Sequence, residues 1–343
     1  MTHSYDMNHL KPLKALAAAL VLLATVSPAF SAVLDDGVSV LKIAVSAEAA
    51  SLGGVHPMLE GPDAIFFNPS GLQHVNQNAV SMTHAAMYRD TNVDAVAGAF
   101  RLGRSWGVLG VSMLALTHKP ITARDDNGNK DGSFSAHDTV VGRSWAGGIG
   151  RHRLGIGYKN IRQSLAGASA TGHAADVGYQ HQLPGALLGL AVQNLGSAMK
   201  LDEESYALPL TLSVGLRYNL GNILYLNASA AHRPNAPRTT AGLGAEVMLG
   251  QSISLRAGYL APLRAASAEA AVGFMSNLGF GVGWKFLAKR LKVDYSMIPG
   301  DKHLGMTHRF TMQLGWGQRG DRSRQSWDSD LDSSEYYTPY FQS

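Results

Sequence analysis

Thirteen histidines in a chain of 343 residues invite a metal-site reading. His118, His137, His152, His173, His181 and His232 lie on strand-like or loop-like stretches, with no Cys and no close carboxylate companion in the sequence. Zinc needs three or four ligands at reachable spacing, so no metal site is expected. The run Asp125, Asp126, Asn127, Asn129, Asp131 has the look of a calcium loop. It fails at the sixth place, where Lys130 stands instead of Gly, and at the twelfth, where Ala136 stands instead of a bidentate Glu. It reads as a solvated loop. Ser105 lies between Gly103 and Gly107 at a tight turn, so no nucleophile elbow is indicated. No enzyme activity and no cofactor are expected.

The elements around these residues carry more information. Lys11 and Lys14 precede the apolar run Ala15 to Val26, and small residues follow at Ala29 and Ser31. That pattern is a secretory signal peptide over residues 1–31; an apolar run of this length is too short for a spanning helix, which needs about 20 residues. No later window is apolar for 18 residues, so no membrane helix is expected after the leader. The chain is 16% charged and 45% hydrophobic, with 38 Gly and no Cys, which suits neither disorder nor a disulfide scaffold. The net charge of +4 is carried by scattered Lys and Arg, so no nucleic-acid partner is expected.

Strand signals fill the rest. In TLSVGLRY, Leu212, Val214, Leu216 and Tyr218 alternate with Thr211, Ser213, Gly215 and Arg217. AGLGAEVML sets Leu243, Ala245 and Val247 against Gly242, Gly244 and Glu246; ISLRAGY and RFTMQLGW do the same with Arg256 and Arg309 on the polar side. Alternation with period two marks strands with one apolar face and one polar or small face. Fourteen such strands are expected, at residues 79–89, 94–103, 105–116, 138–151, 152–164, 170–182, 186–196, 208–220, 223–234, 239–250, 252–261, 280–288, 291–298 and 308–316. Ser267 to Asn277 reads as loop.

The connections decide between a soluble sheet and a membrane barrel. Tight links at Arg104, Leu183-Pro184-Gly185, Gly221-Asn222, Gln251 and Lys289-Arg290 alternate strictly with long ones. The long set comprises Thr117 to His137, Leu165 to Ser169, Ser197 to Ala207, Asn235 to Arg238, Pro262 to Gly279 and Pro299 to Thr307. Bacterial outer-membrane barrels have short periplasmic turns and long extracellular loops. In hydrocarbon every backbone N–H and C=O needs an internal partner, so strands that cross must close into a ring. The expectation is an all-β protein, a closed antiparallel transmembrane barrel of about 14 strands over residues 79–316, in contact with outer-membrane lipid. The polar residues 317–343 are expected to be a disordered periplasmic tail.

The segment VSAEAASLGGVHPMLEGPDAIFFNPSGLQHV, Val45 to Val75, resembles the N-terminal signature of the PorV/PorQ family, a branch of the FadL-like outer-membrane barrels. The likeness rests on Gly53-Gly54, Asp63-Ala64, Phe67 and Asn68-Pro69-Ser70-Gly71-Leu72, with Ser70 where the family usually has Ala. Further stretches follow in the family's order: Gly132 to Asp138, Ile161 to Gly178, Val192 to Tyr218 and Val293 to Trp316. Pro57-Met58 and Glu60-Gly61-Pro62 depart from it, being stiffer and more polar than the small residues expected there, and so does the long tail.

The resemblance implies a fourteen-stranded barrel, with residues 32–78 before the first strand folded into the lumen as a plug or hatch, and Gly53, Gly54, Asp63, Phe67, Asn68, Pro69, Gly71 and Leu72 as its turn motif. An ordinary turn at the periplasmic rim is the plainer alternative. The resemblance also implies an accessory or shuttle in type IX-like protein secretion, whose partners are secretion-machinery proteins and cargo C-terminal domains. The extracellular loops would receive the cargo, with Asp125, Asp126, Asp131, Asp202, Glu203 and Glu204 as candidate contacts. The alternative is FadL-like passage of a hydrophobic small molecule, with the leading segment as gate.

Overall fold

A computed structural model of the chain describes residues 37–88, 90–103, 106–124, 129–236, 238–264, 274–286, 290–300 and 305–317. Residues 1–36, which include the expected signal peptide, Asp125, Asp126 and residues 318–343 lie outside the described residues. The strands are β1 (Asn78–Met87), β2 (Thr91–Arg101), β3 (Val108–His118), β4 (Ile121–Arg124), β5 (Lys130–Phe134), β6 (Ala136–Ile149), β7 (His152–Leu165), β8 (Ala168–Leu183) and β9 (Ala186–Gly196). There follow β10 (Met199–Leu201), β11 (Glu204–Tyr206), β12 (Thr211–Leu220), β13 (Leu224–Arg233), β14 (Arg238–Leu249), β15 (Ile253–Arg264), β16 (Leu278–Phe286), β17 (Leu291–Pro299) and β18 (Met306–Trp316).

Fourteen of these form one closed antiparallel barrel, in the order β1-β18-β17-β16-β15-β14-β13-β12-β9-β8-β7-β6-β3-β2. The seam joins first strand to last, from Asn78 opposite Trp316 to Ala86 opposite His308. Closure leaves no unpaired edge, which is what hydrocarbon requires of a spanning sheet. No helix among the described residues is long and apolar enough to cross a membrane.

The period-two faces sort as the residue types dictate. On β3, Met113 is 51% exposed and Leu114 is 4% exposed, one residue apart. The outward set is an apolar skin, including Met82, Val96, Val111, Leu154, Leu243, Leu255, Phe310 and Leu314. Trp106, Trp145, Trp284 and Trp316 all fall at the tight-turn end, and Trp145 Nε1 donates to the Trp106 carbonyl at 2.8 Å. A girdle of aromatic rings at a membrane–water boundary is the usual place for them.

Two expectations about connections need correction. The stretches read as loops at Thr117–His137 and Ser197–Ala207 contain the small hairpins β4–β5 and β10–β11. The alternation of link lengths is also not strict. The expected one-residue link at Arg104 spans residues 102–107, and the link between β7 and β8 shrinks to Ala166-Gly167. Pairing there runs to the last residues, Leu165 opposite Ala168. A two-residue loop with positive φ at both places, 50° and 89°, matches the twist of the paired strands. Likewise β12 starts at Thr211 rather than 208, because Pro209 has no N–H to give the ladder.

The core lies inside the ring. Val38, Val40 and Val45 pack with Leu114, Leu116, Val140, Ile161, Met199 and Leu208, so the chain before β1 and the β10–β11 region fill the β2–β8 side of the lumen at the long-connection end. Residues 37–77 are buried along most of their length and touch strands around much of the ring.

Candidate functional site in the barrel lumen

Residues 37–77 contain one short α-helix, α1 (Ala47–Ser51), and 3-10 turns at Ser39–Lys42, Pro62–Phe66 and Pro69–His74. Gly53 and Gly54 follow α1 with φ of 92° and 76°, a backbone that L side chains rarely adopt, and Gly54 N donates to the Ala49 carbonyl at 2.9 Å. The last of these turns opens on Asn68, extended at φ −158°, with Pro69 in its first turn.

Asn68 is the busiest side chain of the segment. Its Oδ1 accepts from Ser70 N at 3.1 Å and from Ser70 Oγ at 2.6 Å. Its Nδ2 donates to the carbonyls of Pro57, Tyr179 and Leu190 at 2.8, 3.2 and 3.1 Å. One amide therefore ties two parts of the segment to β8 and β9. The wall must come close to allow this. A Cβ on Gly178 would sit 1.9 Å from Asn68 Oδ1, and one on Gly155 would sit 2.2 Å from Ser70 N. Ser70, the departure from the family's Ala, adds a hydrogen bond to the same amide. Leu72 and Phe67 are buried beside it, and the Gly71 carbonyl accepts from Gly61 N.

The opposite side is held by charge. Glu48 on α1 meets Lys292 at 2.5 Å, Arg217 at 3.7 Å and Arg256 at 3.9 Å. Arg256 is also bound by Glu246 at 2.8 Å and Asp294 at 2.6 Å. Glu60 takes Arg217 at 2.9 Å and His74 at 2.5 Å. Burial alone would raise the Glu48 carboxyl; Lys292, then Arg256 and Arg217, overcome it and hold the group well below the usual carboxylate range. Glu60 is depressed in the same way, burial being outweighed by His74 and Arg217. Burial, helped by Arg217, pushes His56 down to about 3, so its ring is neutral. Asp63 moves the other way: burial raises it, although Gln313 Nε2 donates to Oδ2 at 2.9 Å. Arg309 is buried, and among the described residues its Nε and Nη1 meet no hydrogen-bond partner.

The stiff, polar departures from the family pattern thus have partners. The Pro57 carbonyl accepts from Asn68 and Gln180, Met58 is fully buried, and Glu60 is the carboxylate of the Arg217–His74 pair. The motif residues do not converge on one site. Asn68 to Leu72 face β6–β9, Asp63 faces β18, and Gly53-Gly54 lie by β14 and β15. Of the loop carboxylates, Asp202 (φ 56°) and Glu203 form the exposed tip of the β10–β11 hairpin, Glu204 is exposed on β11, and Asp131 lies on β5. Four of the six sequence-singled histidines meet hydroxyls: His118 meets Thr91, His152 meets Tyr179, His173 meets Tyr158 and His232 meets Thr239.

The charge cluster escaped sequence reading because its members are spread from residue 48 to residue 294. A signal existed, since Arg217, Glu246 and Arg256 occupy the polar face of their strands. Above the segment, under the long connections, lies a cavity of about 390 Å³. Ile43, Val55, Phe66 and Phe67 contribute its apolar lining, and Arg233 and Arg238 lie on its wall.

No family model matches the chain, and no curated protein sequence matches it. Solved structures do. The Ralstonia pickettii toluene transporter TbuX is similar with a TM-score of 0.59 at 13% identity, covering 82% of this chain and 100% of that one. A TodX monoaromatic hydrocarbon channel mutant gives 0.53 at 12% identity, over 80% and 100%. A Pseudomonas aeruginosa FadL homologue gives 0.53 at 10% identity, over 78% and 97%. At such identities the likeness concerns the fold alone, a closed antiparallel β-barrel.

Proposed function

We propose that the chain is a bacterial outer-membrane channel for small hydrophobic molecules, non-catalytic, with residues 37–77 as the gate in its lumen. The observation that carries the reading is the cavity of about 390 Å³ seated on that buried segment, lined by Phe66, Phe67, Ile43 and Val55. Its size and mixed lining suit a small molecule. The fold likeness to channels described as carrying toluene and monoaromatic hydrocarbons supports the same reading. The apolar outer skin supports residence in lipid.

The test is uptake of radiolabelled toluene by cells of an outer-membrane host, with and without the full chain. Faster uptake, blocked when the segment is tethered to the wall, is expected. Uptake that does not change with expression sinks the proposal.

A second reading keeps the PorV/PorQ resemblance: a shuttle that receives cargo domains in type IX-like secretion. Its support is the ordered motif series and the exposed acidic tip Asp202-Glu203-Glu204. Recovery of secretion-channel or cargo proteins with the purified barrel would favour it; recovery of the barrel alone counts against it.

A further inference from the structure

We propose that the outward face of β6–β8 binds a phosphorylated glycolipid of the outer leaflet, with Arg143, Arg162 and His173 as donors to its phosphate. This rests on the outer-membrane part of the channel reading and is independent of what passes through the lumen. Near the tight turns the outward rows of these strands are apolar, with Trp145 on β6, Leu154 and Ile156 on β7 and Val177 on β8. Further along, the same rows turn polar. Arg143 stands opposite Tyr158, Asn160 opposite His173, and Arg162 opposite Thr171. Arg162 lies ten residues beyond His152 along β7. Ten residues of a strand tilted by about 40° climb about 25 Å, the height of the apolar band of an outer-membrane barrel. The patch therefore sits at the long-connection end, where the outward face leaves the hydrocarbon and meets lipid headgroups.

Charge and order both point to that ligand. From Ala136 to Leu183 the chain has only two carboxylates, Asp138 and Asp176, and both are buried on the luminal rows. Arg143 and Arg162 are exposed and have no ion pair among the described residues. On the β1–β3 part of the same rim the chain pairs its own exposed charges, His84 with Asp94 at 2.7 Å and Lys119 with Asp90. The β6–β8 patch is also held in place. Arg143 Nη2 donates to Asn160 Oδ1 at 3.2 Å, and its guanidinium lies 5.4 Å from the centre of the Tyr158 ring. Asn160 Nδ2 donates to His173 Nδ1 at 3.0 Å, and the Tyr158 hydroxyl reaches the same atom at 2.8 Å. An amide nitrogen only donates, so Nδ1 is the acceptor and the neutral ring carries its proton on Nε2. Two guanidinium groups and one ring N–H thus share an exposed patch. Their forks of donors suit phosphate oxygens. Thr139 and Thr171 flank Arg162 in register and suit sugar hydroxyls, while Ile156 and Val177 offer apolar surface to acyl chains. A neutral lipid would leave the arginines without a counter-charge; an inorganic anion would leave the apolar rows unused.

The experiment titrates the full chain in nonionic detergent micelles with bisphosphorylated lipid A, with the same lipid after removal of its phosphates, and with phosphatidylglycerol. Bound lipid is counted by native mass spectrometry. The wild type is expected to bind lipid A about tenfold or more tightly than either of the others, since only lipid A presents both phosphate and sugar. In the R143Q/R162Q double variant lipid A should weaken by about tenfold or more, as charge-assisted hydrogen bonds are lost. The phosphate-free lipid should keep its affinity to within about twofold, because its apolar contacts remain. Arg290→Gln, exposed at the opposite rim, should change neither. Folding is checked by heat-dependent gel migration, with Arg162→Gln alone as the fallback. Lipid A binding that survives the double substitution overturns the inference, as does equal binding of phosphatidylglycerol or equal loss in Arg290→Gln. A barrel that enters lipid vesicles but shows no preference for lipid A overturns it too and leaves the channel reading standing. A chain that stays in the aqueous phase beside vesicles sinks both.

Discussion

The luminal segment is fastened to the barrel in two physically different ways. Toward β6–β9 it is held by shape: one asparagine amide, a proline-initiated turn, and glycines where the wall must approach. Toward β12–β18 it is held by charge, with Glu48 and Glu60 set among Arg217, Arg256 and Lys292. The first attachment uses short-range contacts that neither pH nor salt alters much. The second depends on protonation and on every partner being present. A segment built this way has a fixed side and a releasable side, and the releasable side adjoins the cavity.

The largest expected effect breaks the fixed side. Gly178→Val puts a side chain where Asn68 Oδ1 stands, 1.9 Å from the new Cβ. Overpacking of this kind costs about 3 kcal/mol or more. Either the barrel fails to migrate as a folded species or amides 57–72 lose hydrogen-exchange protection. Unchanged protection there would show that the asparagine clamp is not needed.

Glu48→Ala attacks the releasable side. Removing one partner from a buried ion cluster costs about 3 kcal/mol, because the remaining charges stay buried and uncompensated. Loss of protection should be confined to α1 and its neighbours. A double cycle with Lys292→Ala should show strong coupling, the pair costing less than the sum of the singles.

Acidification should separate the two sides without mutation. The His56 ring is held neutral down to about 3. Below an ordinary histidine pKa of about 6.5 the detached state therefore takes up a proton that the docked state refuses. The Glu48 and Glu60 carboxyls sit below their ordinary value of 4.5 when docked, so their contribution is present above that pH and fades as pH falls through the docked values. Both act to loosen α1 in acid. Asp63, raised by burial, has the opposite sign and favours docking as pH falls. Hydrogen exchange from pH 7 to 4 should show α1 opening while the Asn68 turn holds, and His56→Phe should flatten the upper part of that range.

The smallest effect concerns Arg309, buried with two nitrogens unpartnered. Arg309→Met should leave stability unchanged or raise it by about 1 kcal/mol, read as the denaturation midpoint in detergent. A clear loss would mean that the guanidinium has a role in the wall.

How much of this was legible follows from the range of the interactions. Each strand's two faces are written locally, as in Leu212, Val214 and Leu216 against Ser213, Gly215 and Arg217, because a strand turns successive side chains to opposite sides. The Asn68-Pro69-Ser70-Gly71 turn is also local, since its cap bonds reach only two residues. Its carbonyl partners are not: Tyr179 and Leu190 lie more than 100 residues on. The β10–β11 hairpin is not legible locally because it is stabilised by what it packs on, as Met199 is by Gly172.

By itself, then, the sequence determined that extended two-faced segments must pair and close, since period-two alternation and the need to satisfy backbone groups in lipid are properties of short stretches. Only the tertiary structure decided which polar residues meet in the lumen. Glu48, Arg217, Arg256 and Lys292 become neighbours because the ring brings distant strands around one buried segment, and an ion pair depends on distance in space, on which their separation along the chain is silent.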